Sequence, residues 1–108
     1  MIKVNVKITN SIIDEINITG HANYEESGKD IVCAGVSASL ITTVNAILEF
    51  DNKSIEYKEE KSFNLKNIKK DKITNTLLVN LINIFKQMEN QYSENIKVKE
   101  EILWIKCF

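Results

Sequence analysis

Hydrophobic alternation at the start of the chain is its strongest constraint. Ile2, Val4, Val6 and Ile8 alternate with Lys3, Asn5 and Lys7. A period of two sends one set of side chains to a buried face and the other to water, which is the pattern of a half-buried strand. Thr9, Asn10 and Ser11 have turn chemistry. Ile12 to Thr19 then reads as a second strand, with Ile16 and Ile18 on one face. The two runs predict a β-hairpin whose apolar face another layer must cover.

Two helical patterns can supply that layer. Val36, Leu40, Val44 and Ile47 recur at three- and four-residue spacing, and Asp30 is a suitable N-cap with Ile31 as the first helical residue. The first half of this helix is small: Ala34, Gly35, Ser37, Ala38 and Ser39. Small side chains let a helix lie close to its neighbours, and packing rather than propensity must hold such a segment. Asp51 and Asn52 end it. Short alternating runs follow around Ile55 and Tyr57, then Phe63 and Leu65, with the charged stretch 58–61 as their turn. A second helix starts near Asp71 and presents Ile73, Leu77, Leu81, Ile84, Phe85 and Met88 on one face. Ser93, Glu94 and Asn95 break it, and Ile96, Val98 and residues 102–105 form a last strand. The expected architecture is a single α+β domain over 1–108. It has a sheet of about five strands and two helices in the order β-β-α-β-β-α-β. Strand order cannot be read from these patterns.

Composition narrows the function. A chain of 108 residues can bury a core without disulfides or a structural metal. Its net charge is −1, and all fourteen basic residues are lysine. That balance leaves no electrostatic footprint for direct nucleic-acid binding, and the lack of arginine removes bidentate clamps on phosphate. No run approaches the ~18 apolar residues of a membrane span, and Met1 leads straight into a strand rather than a signal peptide. We expect a cytoplasmic protein with no membrane contact. Two cysteines there are free thiols. With one histidine they share no metal-ligand spacing, so no metal and no cofactor is expected.

Chemistry concentrates in one stretch: Gly20-His21-Ala22, Gly28, then Asp30-Ile31-Val32-Cys33-Ala34-Gly35 with Ser37 and Ala38. The only histidine ends a strand, and Cys33 opens a helix. Counted from an Asp30 cap, Cys33 is the third helical residue. Its sulfur would lie near unsatisfied N–H groups of the first turn, where the helix dipole favours an anion. Thiols in that setting ionise readily, and the same N–H groups could receive an oxyanion. A thiol with an imidazole across a short loop is what a cysteine hydrolase needs. Plainer assignments stand beside this one. Cys33 leads the stripe Val36, Leu40, Val44, and free cysteine is often a buried packing residue. A lone histidine is commonly structural. Asp30 is most simply a cap, although it could orient His21 as a third triad member. Ser37, four residues after Cys33 on the same face, could touch substrate or only pack. Cys107 lies in an apolar terminal run and reads as structural.

These motif residues, with the element order, resemble the ribosomal-processing cysteine protease family, Prp. The resemblance implies that Cys33 is the nucleophile and His21 its base. It implies that the loop 22–29 folds over a bound peptide, that the protein is a homodimer, and that pockets take aromatic residues just before the cut. The implied reaction removes a short N-terminal extension from large-subunit ribosomal protein 27 during ribosome assembly. Gly20, Gly28, Asp30, Ala34 and Ser37 would support the site or contact substrate. Outside the motif, the stretch 102–108 is more apolar than the family pattern leads one to expect.

Two other classes compete with a cysteine endopeptidase. One is a non-catalytic ribosome-assembly or peptide-binding module. The other is a thiol redox protein, disfavoured because no second cysteine lies near Cys33 in sequence. Rapid alkylation of Cys33 at neutral pH fits a protease or a redox thiol, and an inert thiol fits the binding module.

Overall fold

The computed structural model describes residues 1–20 and 27–104, the side chains of 27–30 excepted. The initial alternation forms the expected hairpin of β1 (Ile2–Thr9) and β2 (Ile12–Thr19). Asn10 and Ser11 turn it with φ of 51° and 67°. Positive φ at both turn residues is the type I′ geometry that matches strand twist. The register shifts between Lys7 and Ile8, so that Lys7 faces Glu15 but Ile8 faces Ile13. This bulge brings Ile13 into the same core as Ile16 and Ile18. Ile13 stays opposite Ile8, and side chains from other elements satisfy its peptide groups. The Ile13 N–H donates to Asn75 Oδ1 at 2.8 Å, and Asn67 Nδ2 donates to the Ile13 carbonyl at 2.9 Å.

Five strands form one mixed sheet, completed by β3 (Ile55–Glu59), β4 (Phe63–Asn67) and β5 (Ile96–Leu103). The order across it is β3-β4-β2-β1-β5. All neighbours are antiparallel except β5, which runs parallel to β1. The turn between β3 and β4 is tighter than the charge pattern suggests, because Lys58 and Glu59 still belong to β3. One face carries Val4, Val6, Ile16 and Leu65 into the core. The opposite face is polar, with Lys3, Asn5 and Lys7 exposed.

Both helices contribute to the core on the apolar face. α2 (Lys72–Gln91) starts at Asp71, whose carboxylate accepts the Thr74 N–H at 2.8 Å, a side-chain cap of the expected kind. Its buried face is Thr74, Leu78, Leu81, Ile82 and Phe85. Leu81 and Phe85 belong to the expected face, and Leu77 and Met88 pack at its margin. Ile73 is the exception, 48 % exposed where Thr74 beside it is buried.

α1 spans Ser27–Phe50. It therefore begins before Asp30, which is its fourth residue and not its N-cap. Residues 27–29 are helix rather than loop. Val32, Val36, Val44 and Ile47 are buried and Leu40 packs at the core margin, as the stripe predicts. The small residues have a visible use: a Cβ on Gly35 would come within 2.9 Å of Met88 Cε on α2. Residues Ile31–Phe50 are also apolar and long enough to cross a membrane by length and composition, contrary to the expectation from runs of apolar residues. In this fold one side of that helix is core.

Candidate active site

Gly20 ends β2 with φ +94°, and a Cβ there would lie 2.1 Å from the Met1 carbonyl oxygen. No side chain fits, and the backbone is in the region that favours glycine. The Met1–Ile2 peptide is fixed in turn, since the Ile2 N–H donates to the Asn95 carbonyl at 2.8 Å. Gly20 thus joins the start of β1 to the point where the chain leaves toward His21. His21 itself lies outside the described residues, as do the remainder of the expected lid at 22–26 and Cys107. Gly28 and Asp30 are placed on the backbone of α1's first turn.

Cys33 is a half-buried free thiol packed against the core. It is the seventh residue of α1. The N–H groups left unsatisfied at a helix start belong to its first four residues. The oxyanion site expected from Cys33's place in the first turn is therefore not formed by α1 in this conformation, and the dipole's influence falls off within that turn. What remains at the thiol among the described residues is partial burial. From Ile31 to Leu48 the helix carries no Asp, Glu, Lys or His. Ala34 and Ser37 are exposed beside it. No group of three metal-ligating side chains occurs among the described residues.

Ser37 connects the thiol to a groove. Residues four apart on a helix have Cβ atoms about 5–6 Å apart on one face, so Cys33 and Ser37 are neighbours. Ser37 then lines a cleft with Leu40, Ile41 and Val44 of α1 and Tyr57 and Phe63 of the sheet. The two rings stack with centroids 5.9 Å apart and planes at 26°. The cleft encloses about 170 Å³, less than the roughly 300–1,000 Å³ of sites for drug-sized molecules. That volume suits one or two side chains of a longer ligand. Phe63 pairs with Ile18, two residues before Gly20. The cleft therefore opens at the end of the sheet where the chain departs toward His21. Sequence reasoning did not find it, because Tyr57 and Ile41 read as ordinary members of their elements.

The fold and the sequence both have known relatives. Residues 1–97 match the family model described as cysteine protease Prp. The ribosomal processing cysteine protease Prp of Staphylococcus aureus (strain Mu50 / ATCC 700699) is 38% identical over 100 residues, covering 85% of this chain and 86% of that protein. A crystal structure of an essential ribosomal processing protease Prp from S. aureus with a substrate peptide superposes with a TM-score of 0.85. It is 25% identical and covers 94% of this chain and 100% of that one. A second structure of that protease, with a covalently linked product peptide, gives a TM-score of 0.84 at 26% identity with the same coverage.

Proposed function

Because the chain belongs to the Prp family of cysteine proteases, and is a ribosomal processing protease acting on a peptide, we propose that Cys33 is its nucleophile and His21 its general base. His21 takes the thiol proton as Sγ attacks the scissile carbonyl carbon. It then delivers that proton to the departing amine, which leaves a thioester on Cys33. Water hydrolyses the thioester, releasing a carboxylate and restoring the thiol. The covalently linked product peptide in the S. aureus relative is the observation that carries this assignment. It is supported by Cys33's half-buried position one turn before a cleft that suits one or two side chains of a peptide.

The substrate we assign is the N-terminal extension of large-subunit ribosomal protein 27. Its aromatic side chains before the cut fill the cleft beside the Tyr57–Phe63 pair, where ring contacts add about 0.5–1.5 kcal/mol to area burial. The enzyme acts in the cytoplasm, where that precursor is made, and as a homodimer. Incubation with the precursor, read by mass spectrometry, tests the whole assignment. One cut that removes a short N-terminal segment is expected from the native chain and none from Cys33→Ala. An uncut precursor, or cutting by the variant, refutes it.

A further inference from the structure

Strand β5 is an outer strand of the sheet, and its end is poorly covered. Ile102 and Leu103 are each 57 % exposed and Trp104 is 65 % exposed. All three lie beyond residue 97, where the family match stops. Two hydrogen bonds fix how the edge is presented. The Leu103 carbonyl accepts from the Asn10 N–H at 3.0 Å, so odd-numbered peptide groups of β5 turn inward. The Val98 N–H turns outward and donates to Glu89 Oε2 at 3.0 Å. Val98, Glu100 and Ile102 therefore offer the outer row of peptide groups. Side chains alternate as well. Ile96 and Val98 pair with Ile2 and Val4, which places Glu100 and Ile102 on the helix-covered side. Lys97, Lys99, Glu101 and Leu103 lie on the open side.

We propose that this edge pairs antiparallel with β5 of a second copy of the chain, about a two-fold axis at Glu100, to give one continuous ten-stranded sheet. The surface rests on the homodimer put forward above and names where it forms. Directly opposed residues of an antiparallel pair share a face. In this register Val98 meets Ile102 and Lys99 meets Glu101, each twice. Glu100 meets itself, but its carboxylate already pairs with Lys86. The register is the self-complementary one. Moving the axis one residue either way sets Lys99 against Lys99 or Glu101 against Glu101. The Lys99–Glu101 pairs fall at non-hydrogen-bonded positions, where side chains approach most closely. Pairing exchanges the Val98 bond to Glu89 for the Ile102 carbonyl of the second copy, and Glu89 keeps Lys97 as its ionic partner. Without a partner, an edge ending in three large apolar side chains is open to unspecific strand pairing.

Sedimentation of the full chain over a concentration series tests the surface, with Lys99→Glu, Glu101→Lys and the double variant alongside the native chain. Both positions changed are exposed on the open face, and circular dichroism checks that each variant is folded. The native chain is expected to dimerise. Each single variant opposes like charges at two symmetric places and should raise the dimer dissociation constant at least about ten-fold. The double variant restores opposite charges and should return to within a few-fold of native. A native chain that stays monomeric refutes the homodimer and this edge together. A dimer indifferent to the single variants, or not restored by the double one, keeps the homodimer and overturns the edge.

Discussion

Replacing Gly20 by alanine separates backbone geometry from side-chain chemistry at the entrance to the site. Two costs follow from the structure. A residue with a Cβ at φ +94° carries about 1–2 kcal/mol of backbone strain. The new Cβ also overlaps the Met1 carbonyl, 2.1 Å away. That carbonyl belongs to the peptide whose N–H is held by Asn95, so relief must disturb the β1–β5 junction. Overpacking of this kind costs about 1–3 kcal/mol, for a sum of about 2–5 kcal/mol. Unfolding entropy near 2.1 cal/mol/K per residue gives about 0.23 kcal/mol/K for 108 residues, which translates to a fall in Tm of roughly 9–22 °C. Gly35→Ala is the control. Its Cβ meets only the flexible end of Met88 at 2.9 Å, and alanine is favoured over glycine in a helix by about 1 kcal/mol. The net change there should lie within about 1 kcal/mol of zero. Thermal and urea unfolding followed by circular dichroism measure both. A Gly20→Ala protein as stable as native, or a Gly35→Ala protein that loses as much, would refute the strain and contact reasoning.

Cys33→Ala should abolish cleavage and leave the unfolding midpoint within about 1 kcal/mol of native, since only a half-buried sulfur is lost; a folded variant that still cuts removes Cys33 as nucleophile. His21→Ala should slow turnover about 10²–10⁴-fold while peptide binding, followed by fluorescence anisotropy, persists; a rate within a few-fold of native assigns the base elsewhere. Tyr57→Asp should raise KM for the precursor more than it lowers kcat, because the cleft binds side chains away from the broken bond; an unchanged KM places the peptide elsewhere. The Lys69 ammonium, hydrogen-bonded to Asp51, with help from the Lys53 N–H, holds the Asp51 carboxyl below its ordinary value. Stability from this contact is present above the unfolded-state pKa of about 3.9 and is lost as pH falls through the lower folded one. Asp51→Asn should flatten the pH dependence of the urea midpoint below about pH 4, and a slope equal to native would show that the pair contributes nothing.

The hairpin, both helices and the element order were legible because each rests on a local period, and periods survive without tertiary information. The Ile13 bulge was not, since it depends on Asn67 and Asn75 arriving from distant elements. Strand order was hidden for the same reason, because the parallel pairing of β5 with β1 joins the two ends of the chain. The start of α1 was misplaced although a signal existed. Ser27 followed three residues later by Asp30 has the form of a capping box, which competes with Asp30 as a cap. At the start of α2, Thr74 is buried and Ile73 exposed, although hydropathy ranks them the other way. At the site, the motif identified Cys33 and Gly20, and the structure gave each a physical setting. The cleft beside Ser37 required the packing of α1 against β3 and β4, which no local pattern encodes.

The parallel contact between β1 and β5 also governs when this sheet can form. Ile2 pairs with Ile96, so closing that contact spans nearly the whole chain. The two hairpins need much shorter loops and the β2–β4 pairing an intermediate one, and loop closure must be completed before a non-local pair gives any return. Translation at about 5–20 residues per second keeps the outer side of β1 without its partner for several seconds after β1 has been made. During that interval Val4 and Val6 have no β5 beside them. Until β5 is made, a nascent chain of this protein can hold only the antiparallel pairings, and the β1 edge stays open.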